Sequence, residues 1–67
     1  MRIYLNGEST QDLPQDLTVS ALVQHLDLAD KRIAVELDGV IIPRSEHNTT
    51  ALCEGSRIEI VAAIGGG

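Results

Sequence analysis

The chain closes Ala62-Ala63-Ile64-Gly65-Gly66-Gly67, and this run has the clearest chemical use of any segment. Three successive glycines have no side chains to pack, and glycine loses more conformational freedom on ordering than any other residue. Such a tip suits a channel too narrow for side chains, with the α-carboxylate of Gly67 presented at its end. Five residues beyond Ala62 reach at most roughly 17 Å, enough to enter a partner while a folded body stays outside. A C-terminal carboxylate is anionic at neutral pH and a poor electrophile. It must be activated before it can carry a group. Attack by the carboxylate on the α-phosphate of ATP gives an acyl-adenylate, and a sulfur nucleophile can then displace AMP to leave a thiocarboxylate. These steps ask nothing of the chain except a recognisable body and an accessible tip. The competing reading is an idle frayed end, since termini are often disordered. A tail that does chemistry is expected to be mobile in the free protein from about Ile64 onward.

The remaining reactive residues are less well placed. Cys53 is the only cysteine and precedes Glu54-Gly55, with no Lys, Arg or His beside it to favour a thiolate, so it reads as structural or incidental. His25 and His47 are isolated, without the Cys, Asp or Glu spacing of a metal site, and no metal is expected. His25 is expected on the exposed helix face or near the helix C-terminus, where a cation is favourable. Ser9, Ser20, Ser45 and Ser56 have no recognisable base, so nucleophilic catalysis is unsupported. No Gly-x-x-x-x-Gly-Lys sequence occurs, so the chain is not expected to bind ATP itself. Arg44 either anchors an acidic partner or closes off an edge strand. Ile64 either completes the core or docks, with Gly65 and Gly66, into an activating enzyme.

Sixty-seven residues make one domain with a thin core and leave little room for a catalytic cleft. With one Tyr and no Phe or Trp, that core must be aliphatic. Ten acidic residues against five basic give a net charge of −5, which disfavours nucleic acid because phosphate binding rests on clustered Lys and Arg. A lone cysteine fits a reducing compartment. The absence of a basic-then-apolar leader and of a bilayer-length apolar run leads us to expect a cytoplasmic protein that does not engage a membrane.

The elements that must carry the tail follow from periodicity. Ile3 and Leu5 alternate on a first strand, Asn6-Gly7 is a tight hairpin signal, and a return strand is expected over about residues 8–13, ended by Pro14. Val19, Leu22, Val23 and Leu26 form one helical stripe, capped by Thr18, with Leu17 and Leu22 as a hydrophobic staple. Period two returns in Ile33, Val35 and Leu37; Asp38-Gly39 turns the chain into residues 40–42, ended by Pro43. Ser45 is expected to cap a helical turn reaching Asn48, and residues 49–52 to form a short strand. A final strand over 57–61 points Ile58 and Ile60 inward. If the first and last strands lie side by side, the helix covers one sheet face. The result is an α+β β-grasp, ubiquitin-like, with a mixed sheet packed on one principal helix. The predicted division is a β-grasp body over residues 1–63 and a reactive tail over 64–67.

With that order in hand, the sequence resembles the sulfur carrier proteins of thiamin biosynthesis, the ThiS family, along nearly its whole length. The residues that carry the likeness are Ile3-Tyr4-Leu5-Asn6-Gly7, Thr18-Val19, Val35-Glu36-Leu37-Asp38-Gly39, Val40-Ile41-Ile42-Pro43-Arg44-Ser45 and Gly55-Ser56-Arg57-Ile58-Glu59-Ile60, with the glycine ending. His47 departs from the aromatic residue common in relatives, which implies an altered surface contact. Gly65 is an extra glycine that the tail tolerates. The resemblance implies that Gly67 is the covalent site, activated by an E1-like adenylating enzyme using ATP and Mg. It further implies a cysteine desulfurase relay as sulfur source and a thiazole synthase as acceptor. The chain would be a carrier rather than an enzyme. The small subunit of molybdopterin synthase, with the same fold and tail chemistry, and a ubiquitin-type modifier joined to lysines are the rival readings.

Overall fold

The structure, a computed structural model, describes residues 1–10 and 13–62. Its elements run β1 (Ile3–Leu5), β2 (Glu8–Thr10), α1 (Val19–His25), β3 (Ile33–Leu37), β4 (Val40–Ile42), a 3₁₀ turn (Arg44–Glu46) and β5 (Arg57–Ala62). The five strands form one sheet in the order β2-β1-β5-β3-β4. β1 and β5 pair parallel, and the other neighbours pair antiparallel. The last strand therefore sits at the sheet centre beside the first, as the apolar patterns predict.

Both hairpins turn through residues with positive φ. Asn6 and Gly7 stand at 51° and 86°, Asp38 and Gly39 at 51° and 87°. Two-residue turns of this handedness match the twist of the flanking strands, and Asn or Asp followed by Gly is the pair that tolerates them.

Helix α1 begins where the sequence places it: the Thr18 side chain accepts a hydrogen bond from Ala21 N–H at 3.1 Å. Its end has no glycine. Asp27 takes the left-handed position at φ 62°, Asp27 N–H donates to Gln24 O at 3.0 Å, and Leu28 N–H donates to Val23 O at 2.9 Å. That is a Schellman stop, whose left-handed residue is usually Gly. His25 lies exposed in the last turn.

The core is aliphatic: Ile3, Leu13, Leu17, Val19, Leu22, Val23, Val35, Leu52, Ile58 and Ile60 are buried in one cluster. Leu5, Leu26, Ile33 and Leu37 pack against it while only half-buried, because they lie toward the rim of the layer. Leu17 and Leu22 share the cluster, consistent with the staple.

Several local expectations are corrected. β2 ends at Thr10, short of Leu13, which drops off the sheet into the core; its N–H donates to Met1 O at 3.3 Å. Residues 49–52 make no strand. Ala51 forms a single bridge with Thr18, since this segment satisfies the helix start instead: Thr50 O accepts from Val19 N–H and His47 O from Ser20 N–H, each at 2.9 Å. Leu52 N–H donates to Leu17 O at 2.9 Å, which seats Leu52 in the core. The 3₁₀ turn starts one residue before Ser45, with Pro43 at its N-cap position and no side-chain cap. Thr50 closes it from the far side, its hydroxyl donating to Glu46 O at 2.7 Å.

Candidate functional site

Ile64, Gly65, Gly66 and Gly67, with the expected mobility of the tail and the body–tail boundary at Ala63, lie outside the described residues. What the structure shows is the root from which they continue. β5 is held on both sides. Along β3, Ile33 pairs with Ala62 and Ala34 with Val61. On the other side β1 has already ended at Leu5, and the Asn6 side chain takes over as a surrogate for the next strand residue. Its Oδ1 accepts from Ile60 N–H at 2.9 Å and its Nδ2 donates to Ile60 O at 3.3 Å. A carboxamide carries the same donor and acceptor as a peptide group, so it extends the ladder without extending the strand.

Asp38 acts similarly at the opposite end of β5. Its Oδ1 accepts from Arg57 N–H at 2.9 Å, while its own N–H donates to Arg57 O at 2.8 Å. The two turn residues thus fix β5 at its start and near its finish. Sequence reading took both only as turn formers. The second role carries no local signal, because it depends on which strand comes to lie beside each turn.

Alternation along β5 buries Ile58 and Ile60 and exposes Arg57, Glu59 and Val61 on the sheet face away from the core. There, Arg57 lies over the Tyr4 ring at 5.6 Å from guanidinium carbon to centroid. Glu36 stands opposite both Glu59 and Ile41. Ile41 and Val61 are 67% and 57% exposed. The open face therefore offers apolar side chains beside two carboxylates, next to the tail root.

The other singled-out residues are spread through the fold. Cys53 is free and exposed; its N–H donates to Ser56 Oγ at 2.9 Å in the turn leading into β5. That turn lies beyond the start of β5, a strand length of roughly 17 Å from Ala62. Ser56 is buried and occupied by this contact. His47, expected to make a surface contact, is instead 9% exposed, with Nε2 donating to Ile42 O at 3.1 Å. The 3₁₀ turn folds it back against β4, and the ring supplies a hydrogen bond that a purely apolar aromatic would lack. Arg44 Nη2 donates to Lys31 O at 3.0 Å, so it ties two loops together beside β4. Among the described residues no three His, Cys, Asp or Glu side chains gather to hold a metal, and no helix is long and apolar enough to cross a membrane.

Comparison with known proteins agrees with this geometry. The model of the ThiS family matches residues 2–67. A crystal structure of the thiamine biosynthesis protein ThiS from Geobacter metallireducens superposes with a TM-score of 0.86 at 30% identity, covering 100% of both chains. A thiazole synthase of Paramagnetospirillum magneticum is 37% identical over all 67 residues, and one from Magnetococcus marinus is 34% identical. The chain spans only 20% of the length of either. It is also 29% identical over 65 residues to the uncharacterized protein ycf40 of Pyropia yezoensis, covering 97% of this chain and 90% of that protein.

Proposed function

Because this chain belongs to the ThiS family, we propose that it is a sulfur carrier for the thiazole ring of thiamin, with the carboxylate of Gly67 as its reactive group. An oxygen of that carboxylate attacks the α-phosphorus of ATP held with Mg on an E1-like partner, and pyrophosphate leaves. The terminal sulfur of a persulfide from a cysteine desulfurase relay then attacks the acyl carbon, and AMP departs to leave an acyl disulfide. A second thiol on the partner side cleaves that bond, becoming disulfide-bonded to the relay cysteine and releasing the thiocarboxylate, which passes its sulfur to a thiazole synthase. The chain contributes no acid or base to these steps. Its part is to present a tail from a fixed root.

The observation that carries this reading is the family match through the terminal glycines, on a fold whose central strand leads into them. The double anchoring of β5 by β3 and by the Asn6 carboxamide supports it, since a rigid root narrows where the tip can go. The relatives named thiazole synthase support the choice of acceptor. Joining a carrier-like segment to a synthase in one polypeptide raises their effective concentration, which benefits two proteins that must meet.

The test is intact mass after incubation with the adenylating enzyme, ATP, Mg and a sulfur donor. Exchange of one oxygen for one sulfur on the C-terminal residue is the expected product. High-mass conjugates to other proteins would instead indicate a modifier, and an unchanged mass would defeat the carrier reading.

A further inference from the structure

The cations of this acidic chain are unevenly placed. Lys31, Arg32 and Arg44, three of the five in the sequence, line one shallow recess of about 320 Å³ together with Asp30 and Ile33. The recess is internally braced, because Arg44 Nη2 donates to Lys31 O at 3.0 Å and so joins the segment before β3 to the segment after β4. Asp30 shares the recess, Asp27 and Glu46 flank it in sequence, and Glu36 and Glu59 face each other on the open sheet; the other two cations are Arg2 and Arg57.

Position gives this asymmetry a direction. Ile33, which follows Arg32, pairs with Ala62, so the recess adjoins the point where the chain leaves β5 toward Gly67. Arg57 begins β5, and Arg2 O accepts from Gly55 N–H at 2.8 Å, which puts both at the opposite end of the central strand. The chain is negative overall, and three of its five cations are gathered at the root of the tail, beside an open face that carries Glu36 and Glu59.

We infer that the Lys31–Arg32–Arg44 pole docks on an acidic rim around the mouth of the pocket that receives the tail. This rests on the reading that a protein partner takes the tail as substrate. A positive pole at the tail root is drawn to such a rim, while the acidic remainder of the body is repelled by it. The encounter is thereby biased toward tail-first orientation. Steering of this kind raises association rates and shows as salt dependence, with less effect on the final contacts. The net charge of −5 disfavours an extended polyanion as the occupant, since binding one requires phosphate neutralisation over a broad basic surface.

The experiment is stopped-flow association of the full chain with its adenylating enzyme at low and high ionic strength. Lys31→Glu is compared with Arg2→Glu, which makes the same change in net charge at the far pole; both residues are exposed. Lys31→Glu is expected to slow association roughly tenfold at low ionic strength, and Arg2→Glu less than about twofold. The difference should collapse at high ionic strength, where screening removes the field. Lys31→Ala, which removes the charge without reversing it, should fall between, and it stands in if Lys31→Glu melts early. Equal slowing by the Lys31 and Arg2 variants, or no slowing by either, overturns the inference while leaving sulfur carriage intact. If the unaltered chain neither associates nor is adenylated, the carrier reading fails and takes this inference with it.

Discussion

Asn6 carries two separable duties at the residue scale. Its backbone turns at positive φ, and its carboxamide accepts from the N–H of Ile60 and donates to the C=O of Ile60. Asn6→Gly keeps the turn and removes only the side-chain bonds, so a loss of about 1–2 kcal/mol is expected in urea unfolding. Asn6→Ala adds the cost of a left-handed residue with a Cβ, about 1 kcal/mol more. In both variants the Ile60 amide should exchange hydrogen faster, and equal stability of the three proteins would contradict the assignment. Cys53 supplies the opposite expectation. It sits at the far end of β5 from the tail, and its hydrogen bonds among the described residues are through its backbone: its N–H donates to Ser56 Oγ and its carbonyl accepts from Ser56 N–H. Cys53→Ser should therefore give thiocarboxylate at an unchanged rate. Loss of product with the fold intact would move the sulfur chemistry onto that thiol.

At the scale of the element, helix α1 is well begun and less well ended. The Thr18 cap and the carbonyls of His47 and Thr50 serve its first turn. Its Schellman stop puts Asp27, a residue with a Cβ, at φ 62°. Asp27→Gly removes the steric penalty of that position and admits more unfolded-state freedom in exchange. The expected balance is a gain of up to about 1 kcal/mol, read as a higher melting temperature with sulfur loading unaffected. A lower melting temperature would show that the Asp27 side chain contributes more than its backbone costs.

For the molecule as a whole, the tail and the body should be separable. Deleting Gly67 withdraws the terminal carboxylate by roughly 3.5 Å, and adding a residue transfers the reactive group to a different one. Near-attack alignment at the α-phosphate tolerates neither displacement. No core side chain is touched by either change, so each variant should melt with the unaltered chain while failing to gain sulfur under the same enzyme and ATP. A truncated or extended protein that loads as readily would show that the acyl group is not where the carrier reading places it.

Much of this architecture is legible from local signals, because each arises among near neighbours. The Asn6-Gly7 and Asp38-Gly39 turns, the Val19-to-Leu26 stripe, the Thr18 cap and the period-two strands all stand where the residues put them. The chemistry proposed for the glycine tail rests on residue types and family membership, and the described residues end at Ala62. Tertiary structure decided the features that depend on distant partners. Leu13 and Leu52 belong to no periodic run, so their place in the core became visible only once the segments bearing them folded against β1 and the start of α1. His47 changes from surface residue to buried donor because the carbonyl of Ile42 meets it there. Asn6 and Asp38 gain their hold on β5 from pairings 54 and 19 residues away, and no local pattern encodes which strand will lie beside a turn. The gathering of Lys31, Arg32 and Arg44 has the same origin: the charges are written in the sequence, but the Ile33–Ala62 pairing sets them beside the tail.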